Sequence, residues 1–138
     1  MSDVEDVKTV LVNYYESLSN GVVKGITRNF DETVTAISLA GSTAVTGTAN
    51  LENAFNSFLE NWQKLGVNCK FQYDPSQFRI EDVQDNVKIV RTRLTNFKES
   101  GEIFETWNCM YVLCKKDDGW KISLVTFDDK ASAQIAEG

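Results

Sequence analysis

The chain has 138 residues, 42% of them apolar and 25% charged, which fits a single globular domain over residues 1–138. Its net charge of −6 at pH 7 argues against nucleic-acid binding, because a phosphate backbone would be repelled, and equally against contact with an anionic membrane surface. The absence of histidine excludes Ser-His-Asp and Cys-His catalysis and leaves no imidazole ligand for zinc, iron or haem.

The cysteines and the first residues indicate the compartment. Three cysteines, an odd number, fit a reducing environment. Cys109 and Cys114 lie five residues apart on one predicted strand, so they point to opposite faces and cannot bridge each other. The sequence begins MSDVED, which is acidic where a signal peptide is basic, and no apolar run is long enough to span a bilayer. We therefore expect a cytoplasmic protein.

Apolar residues at three- and four-residue steps predict two helices at the start of the chain. The stripe of the first helix is Val4, Val7, Leu11, Tyr14 and Leu18. Ser2 and Glu5 have capping-box spacing at its start, and Asn20-Gly21 ends it. A short second helix is predicted from Val22, Val23, Ile26 and Phe30.

A strand, a return strand and a third helix follow. β-Branched residues from Thr33 to Leu39 predict the strand, which residues 40–42 turn into a short partner at residues 44–46. Thr48 has the residue type of a helix N-cap, and Gly66 is typical of the position just past a helix end. The apolar face predicted between them is Leu51, Phe55, Phe58, Leu59, Trp62 and Leu65.

The rest of the chain has the pattern of strands. Five are predicted, at about residues 68–73, 78–83, 87–98, 103–116 and 119–128. Pro75 and Ser76 separate the first two, and the turn sequences QDN, ESG and DDG separate the others. Three helices in the N-terminal half followed by these strands predict an α+β fold, with the helices packed on one side of a curved, mostly antiparallel sheet.

The closing hairpin is apolar on both faces. On its first strand Met110, Val112 and Cys114 alternate with Tyr111 and Leu113. On its second strand, strict alternation places Trp120, Ile122 and Leu124 on one face and Val125 and Phe127 on the other. A sheet with one solvated face would instead alternate apolar and polar residues. Helices cover one face and no further helix is predicted, so we expect a homodimer formed through the sheet.

Two stretches carry a resemblance to a known superfamily. NYYESLSNGVVKGITRNFDETVT has its pattern of helix, glycine, short helix, phenylalanine, acidic residue and strand, and MYVLCKKDDGWKISLVTFDD matches its closing hairpin. The chain resembles the nuclear transport factor 2-like superfamily over about residues 3–129, close to the SnoaL-like and ketosteroid-isomerase-like groups and to an uncharacterised bacterial branch. The resemblance implies a cone-shaped fold, a cavity between the helices and the concave sheet, and frequently a dimer through the sheet.

The resemblance also bears on activity. Ketosteroid isomerases use a tyrosine of the first helix as an oxyanion donor, and Tyr14 aligns with it. Their catalytic carboxylate aligns with Ile37 or Ser38, and their second acid aligns near Tyr111, so two of three catalytic positions are unmatched. The dehydratases of the superfamily usually pair histidine with aspartate, and histidine is absent here. Neither activity is expected.

Two candidates for catalysis remain at the predicted cavity. Tyr14 carries a hydroxyl that suits a hydrogen-bond donor to an oxyanion, although a core tyrosine gives the same pattern. Asp128 closes the final strand and could act as a general base at the cavity mouth, although charged strand ends are usually solvated. We interpret Glu105 as the partner of Arg91 or Arg93 in a cross-strand ion pair.

Aromatic side chains supply the candidate ligand pocket. Their apolar bodies suit the walls of a site for a flat apolar ligand, and equally a core. The candidates are Tyr14, Tyr15, Phe55, Trp62, Trp107 and Tyr111.

Three functions remain open. The first is a module that binds a small apolar organic ligand without catalysis. The second is a cofactor-free isomerase, cyclase or hydrolase acting on a small polycyclic substrate, with Tyr14 as donor and Asp128 as base. The third is a protein-interaction adaptor that uses an exposed apolar patch. None of them calls for a metal or a cofactor.

Overall fold

The computed structural model describes residues 2–38 and 41–127, apart from the side chains of Asn68 and Cys69. The predicted α+β class is confirmed, and the three helices of the described residues lie in the N-terminal half. The elements are α1 (Asp3–Asn20), α2 (Val23–Thr27), β1 (Phe30–Ser38), β2 (Gly41–Thr46), α3 (Thr48–Lys64), β3 (Val67–Gln72), a 3₁₀ turn (Pro75–Gln77), β4 (Arg79–Gln84), β5 (Val87–Lys98), β6 (Ile103–Lys116) and β7 (Gly119–Phe127). Leu39, predicted as the end of the first strand, lies outside the described residues.

Both ends of α1 follow from its sequence. The Ser2 hydroxyl accepts a hydrogen bond from the Glu5 backbone N–H at 3.3 Å, and Gly21 ends the helix at φ 68°, a left-handed conformation that glycine adopts without strain. The buried stripe begins at Val7 rather than Val4, which is 37% exposed. Tyr15 is buried beside the stripe, so the inward face of α1 is wider than predicted.

The start of α3 differs from the prediction. Thr48 is the first helical residue, and Gly47 is the N-cap, without a side-chain cap hydrogen bond. The Gly47 N–H donates to the Glu32 carbonyl at 2.9 Å, while the Gly47 carbonyl accepts from the Leu51 N–H at 3.1 Å. The backbone of Gly47 therefore joins α3 to β1. Its φ of 93° is a conformation that is unfavourable for residues with a side chain.

All seven strands form one curved mixed sheet. Its order is β2-β1-β7-β6-β5-β3, and β4 also pairs with β5. β1 and β7 run parallel, whereas every other pairing is antiparallel. β4 pairs with the first part of β5, and β3 pairs with its last part. The long strands β5 and β6 are therefore the centre to which the other strands are added.

Burial alternates along the central strands and defines two faces. Val90, Leu94, Trp107 and Leu113 are among the buried residues that point toward the helices, and we call this side the inner face. The intervening residues of β5 and β6 are half-buried or exposed and form the outer face. As predicted, Cys109 and Cys114 lie on opposite faces, and they form no disulfide within the described residues.

The face assignment predicted for β7 is wrong beyond Ile122. Ile122 pairs with Leu113 and Leu124 with Val112, so Ser123 is an extra residue in β7. This β-bulge reverses the alternation, since two residues of one strand then oppose one of the other. Trp120, Ile122, Val125 and Phe127 consequently share the inner face, and Leu124 alone moves to the outer face.

The outer face of the hairpin remains apolar. Met110, Val112 and Leu124, which we call the outer hairpin patch, are half-buried on adjacent strands. No described helix packs on them, because the three helices bury the inner face. The uncovered apolar surface that the sequence predicts is therefore present, although β7 contributes only Leu124 to it.

A buried lysine lies under the start of α1. Lys88 is only 6% exposed, forms an ion pair with Asp82, and places its Nζ 5.6 Å from the centre of the Trp120 ring. The Trp120 indole N–H and Lys115 both donate to Asp3 of α1, at 3.3 and 3.1 Å. These contacts attach the first turn of α1 to the closing hairpin. Within the described residues, no helix is both long and apolar enough to cross a membrane.

Gly25 provides a test of how α2 packs on α1. A Cβ atom at this position would lie 2.5 Å from Ser17 Oγ and 3.1 Å from Ser17 Cβ. We expect Gly25→Ala to lower the free energy of unfolding by about 1–3 kcal/mol, because the two helices must separate. Chemical denaturation measures the change.

Ser17→Ala is the matched partner, since it removes the nearer of the two atoms. The double variant Ser17→Ala/Gly25→Ala should recover part of the loss. A Gly25→Ala protein as stable as the wild type would show that the helices are not in close contact at this point.

Candidate functional site

A partly enclosed cavity of about 130 Å³ lies between the helices and the inner face of the sheet. Its walls come from α1, α3 and six of the strands. Among the described residues, no charged side chain lines it; the polar groups of the lining side chains are tyrosine hydroxyls, two indole N–H groups and a thiol. Apolar walls with few polar groups are typical of sites for small organic ligands.

All six predicted pocket residues line this one cavity. α1 contributes Tyr14 and Tyr15; Phe55 and Trp62 project from α3, two turns apart; Trp107 and Tyr111, four residues apart on β6, share the inner face. The six aromatic residues chosen for the cavity that the resemblance implied therefore lie together. That a ligand binds among them remains a prediction.

Four phenylalanines of the cavity were not predicted as pocket residues. They are Phe30, Phe58, Phe71 and Phe127. Phe58 lies on the predicted apolar face of α3, so its signal was present in the sequence. Phe127 was assigned to the face opposite Ile122, and only the bulge at Ser123 brings it inside.

Ring contacts hold the cavity walls in place. Tyr14 meets Phe30 edge to face with centroids 5.2 Å apart, and Phe30 lies 5.4 Å from Phe55. At the other end Trp62 packs 4.6 Å from Phe58 and 5.0 Å from Phe71. Each aromatic pair contributes about 0.5–1.5 kcal/mol beyond its buried area. The cavity is therefore a defined space between interlocked rings.

A chain of buried hydroxyls crosses the inner wall. The Tyr15 hydroxyl lies 2.7 Å from the Tyr111 hydroxyl and 2.9 Å from Thr92 Oγ1. Tyr15 and Tyr111 are each 1% exposed. These bonds join α1 to β5 and β6 and fix the two phenols at the cavity wall.

Burial sets the protonation of these phenols. Loss of hydration, followed by the neighbouring Cys109 side chain, raises the pKa of both Tyr15 and Tyr111 well above the ordinary value of 10.0. Both residues are therefore neutral hydrogen-bonding groups at physiological pH, and neither can act there as a phenolate base.

The tryptophans at the far end differ in their polar partners. The Trp107 indole N–H donates to Asn96 Oδ1 at 2.8 Å. Trp62 Nε1 and Asn96 Nδ2 are buried, and neither has a hydrogen-bond partner within the part of the chain that the structure describes. An unsatisfied buried donor costs about 1–3 kcal/mol, so ring packing rather than polar pairing fixes Trp62.

The two candidate catalytic residues have different outcomes. Tyr14 lines the cavity as expected for a donor. Asp128 lies outside the described residues. Asp31, the second residue of β1, does not line the cavity; it contacts Lys116 at 3.2 Å and accepts a hydrogen bond from Ser123 Oγ at 3.0 Å. Partial burial alone would raise its pKa, but the Glu32 N–H, Lys116 and Ser123 together lower it.

The predicted ion pair of Glu105 is wrong. Glu105 pairs across the sheet with Asn96, whose side chain is on the inner face, whereas Arg91 and Arg93 point to the outer face. Arg91 instead contacts Glu81 on β4 at 3.3 Å. Within the described residues, no group of three or more cysteine, aspartate and glutamate side chains is placed to hold a metal ion.

Solved structures share this architecture. A ketosteroid isomerase-like protein from Erwinia carotovora atroseptica has a TM-score of 0.71 at 12% identity, over 92% of this chain and 95% of that one. An NTF2-like protein with a cystatin-like fold from Novosphingobium aromaticivorans has a TM-score of 0.74 at 12% identity, over 99% and 89%. An NTF-2 like protein of unknown function from Shewanella oneidensis has a TM-score of 0.70 at 17% identity, over 91% and 98%. These likenesses establish the fold.

Sequence comparison places the chain within the superfamily that its two end stretches resemble. No curated protein matches it. A family model described as "NTF2-like protein (DUF6841)" matches residues 5–130, most of the chain. The superfamily resemblance is thereby confirmed, and this chain belongs to the NTF2-like protein (DUF6841) family.

Proposed function

We propose that the protein binds a small apolar organic molecule, about the size of one aromatic ring, in the cavity between its helices and sheet. The observation that carries the proposal is an uncharged cavity of about 130 Å³. A cavity of about 150 Å³ lined by apolar side chains stays dry and takes up benzene in another protein.

The same volume argues against a polycyclic substrate. Pockets for drug-sized ligands occupy about 300–1,000 Å³, well above the space available here. A molecule of two or more fused rings would have to displace wall residues such as Trp62 and Phe71, whose rings pack 5.0 Å apart. The cavity therefore favours a single ring or a short branched hydrocarbon.

Catalysis is the second candidate, and the tyrosines give it limited support. Tyr14, Tyr15 and Tyr111 supply phenol groups at the cavity wall, which suits donation to an oxyanion. A cofactor-free isomerase, cyclase or hydrolase also needs a base, and none of the described carboxylates lines the cavity. The enzyme hypothesis therefore depends on Asp128, and binding without catalysis is the proposal that we favour.

We further propose that the protein assembles as a homodimer through the outer hairpin patch. Met110, Val112 and Leu124 are half-buried with no described element over them, and a second copy would remove them from water. The protein-interaction adaptor would use the same surface for a different partner. Cytoplasmic location stays a prediction from the sequence.

Filling the cavity tests ligand binding. Ala36 lines the cavity, and Ala36→Leu adds three carbon atoms to that space. We expect toluene to raise the Tm of the wild type, since a ligand that binds only the folded state stabilises it, and to leave the Tm of Ala36→Leu unchanged. Calorimetric titration gives the two affinities.

Thr35→Leu is the matched control, because Thr35 adjoins Ala36 on β1 and does not line the cavity. Its affinity for toluene should equal that of the wild type. Equal binding by Ala36→Leu and the wild type, or no binding by the wild type, would refute the proposal.

The buried phenols make a prediction about alkaline pH. The pKa of Tyr15 and of Tyr111 is higher in the folded protein than in the unfolded chain. Their contribution to the free energy of unfolding is therefore complete below pH 10.0 and is lost as the pH rises through the folded-state pKa. In a spectroscopic titration, the absorbance of these two tyrosinates should appear only when the protein unfolds. Burial, followed by Glu16, raises the pKa of Tyr73 less strongly, so Tyr73→Phe should reduce the signal of the folded protein whereas Tyr15→Phe should not.

Assembly is tested by a charge in the outer hairpin patch. Leu124→Lys should convert a dimer into a monomer of 15.5 kDa, because it would bury an unpaired ammonium group in the interface. Sedimentation equilibrium at micromolar concentration measures the mass. A monomeric wild type would remove the dimer proposal and favour the adaptor.

A further inference from the structure

A second, larger space lies on the outer face of the sheet. It is an open groove of about 1070 Å³. Arg91, Arg93 and Thr95 of β5 line it and point away from the cavity, since they alternate with the buried Thr92, Leu94 and Asn96. The arginines therefore face the side of the central strands opposite the cavity, although Thr92, Cys109 and Phe127 also line the groove and the last two line the cavity as well.

Three arginines converge on this groove. Arg79 of β4 is the direct cross-strand partner of Arg91, and Arg93 follows two residues later on the same face. Like charges directly opposite each other destabilise a strand pair, and here they concentrate in a chain whose net charge is −6. Such an arrangement is unfavourable unless an anion offsets it.

The protein itself balances these charges only in part. Glu81 contacts Arg91 at 3.3 Å, with both side chains at least half-exposed. Within residues 2–38 and 41–127, the side chains of Arg79 and Arg93 have no ion-pair or hydrogen-bond partner. Asp74 is the one carboxylate among the described residues that line the groove, and it already accepts hydrogen bonds from Ser76, at 3.0 Å from the backbone N–H and 2.7 Å from Oγ.

The strand register continues the arginines into a row of uncharged residues. Directly paired positions run across five strands from Arg79 to Arg91, Met110, Thr126 and Ile37. Adjacent strands are about 4.8 Å apart, so the row spans about 19 Å. Its β4 end is cationic and its β1 end is apolar, with Ile37 38% exposed.

We propose that this groove binds a small organic acid, whose carboxylate or phosphate group lies between Arg79 and Arg93 and whose hydrocarbon part lies along the row toward Ile37. Guanidinium groups match such oxyanions with paired N–H donors. The acid is a second ligand, distinct from the neutral molecule proposed for the cavity. Met110 belongs both to this row and to the outer hairpin patch, so the acid and a second copy of the chain would compete for it.

Titration with octanoate tests this proposal in the Ala36→Leu variant, whose cavity is filled, so that failure of cavity binding does not affect the result. Octanoate should bind, and its affinity should fall with added salt because the groove side chains are exposed. Inorganic phosphate should bind more weakly, because it has no hydrocarbon part. Octanol should not bind, because it has no charge.

Three substitutions locate the site, because two of them should weaken octanoate binding and the third should strengthen it. Arg79→Gln and Arg93→Gln should each weaken octanoate binding about fivefold, as loss of an exposed ion pair does. Glu81→Gln should strengthen it, because it releases Arg91. Lys64→Gln, a charge-matched change on the exposed end of α3, should have no effect. Unchanged affinity in both arginine variants, weaker binding by Glu81→Gln, or equal binding of octanol would overturn the proposal.

Discussion

The extra residue in β7 determines what the two faces of the sheet present. Without the bulge at Ser123, Val125 and Phe127 would point outward and Leu124 would point toward the helices. With it, the inner face gains two of the side chains that line the cavity, and the outer face is left with the outer hairpin patch. One inserted residue thus contributes both to the cavity and to the surface that we assign to assembly.

The cavity lies in a densely aromatic core whose rings contact one another edge to face or at tilted angles. Tyr14, Phe30 and Phe55 pack against each other at one end, and Phe58, Trp62 and Phe71 do so at the other. Edge-to-face and tilted contacts between these rigid rings fix their positions around the cavity. The hydrogen-bonded phenols of Tyr15 and Tyr111 brace the wall without adding charge. The family relationship and the fold do not choose a ligand, so this local geometry carries the functional argument.

The central strands separate two chemically different surfaces. On β5, alternate residues place Leu94 in an uncharged cavity and Arg91 and Arg93 in a cationic groove. Because a strand directs successive side chains to opposite sides, the chain can present both environments within a few residues. A neutral ring on one side and an organic acid on the other are consistent with this division.

The sequence by itself determined the α+β class and the helices with most of their ends, because those features depend on local periodicity and on capping residues. The cavity was implied by the superfamily resemblance, and the six aromatic residues chosen for its walls line it. Tertiary structure decided the N-cap at Gly47, which depends on a hydrogen bond to Glu32 from a distant part of β1. It also decided the partner of Arg91, since the choice between Glu105 and Glu81 requires knowledge of which strands pair and on which face. Most of all it decided the faces of β7: a bulge shifts the alternation by one residue, and its position is set by the pairing with β6 rather than by any residue within β7.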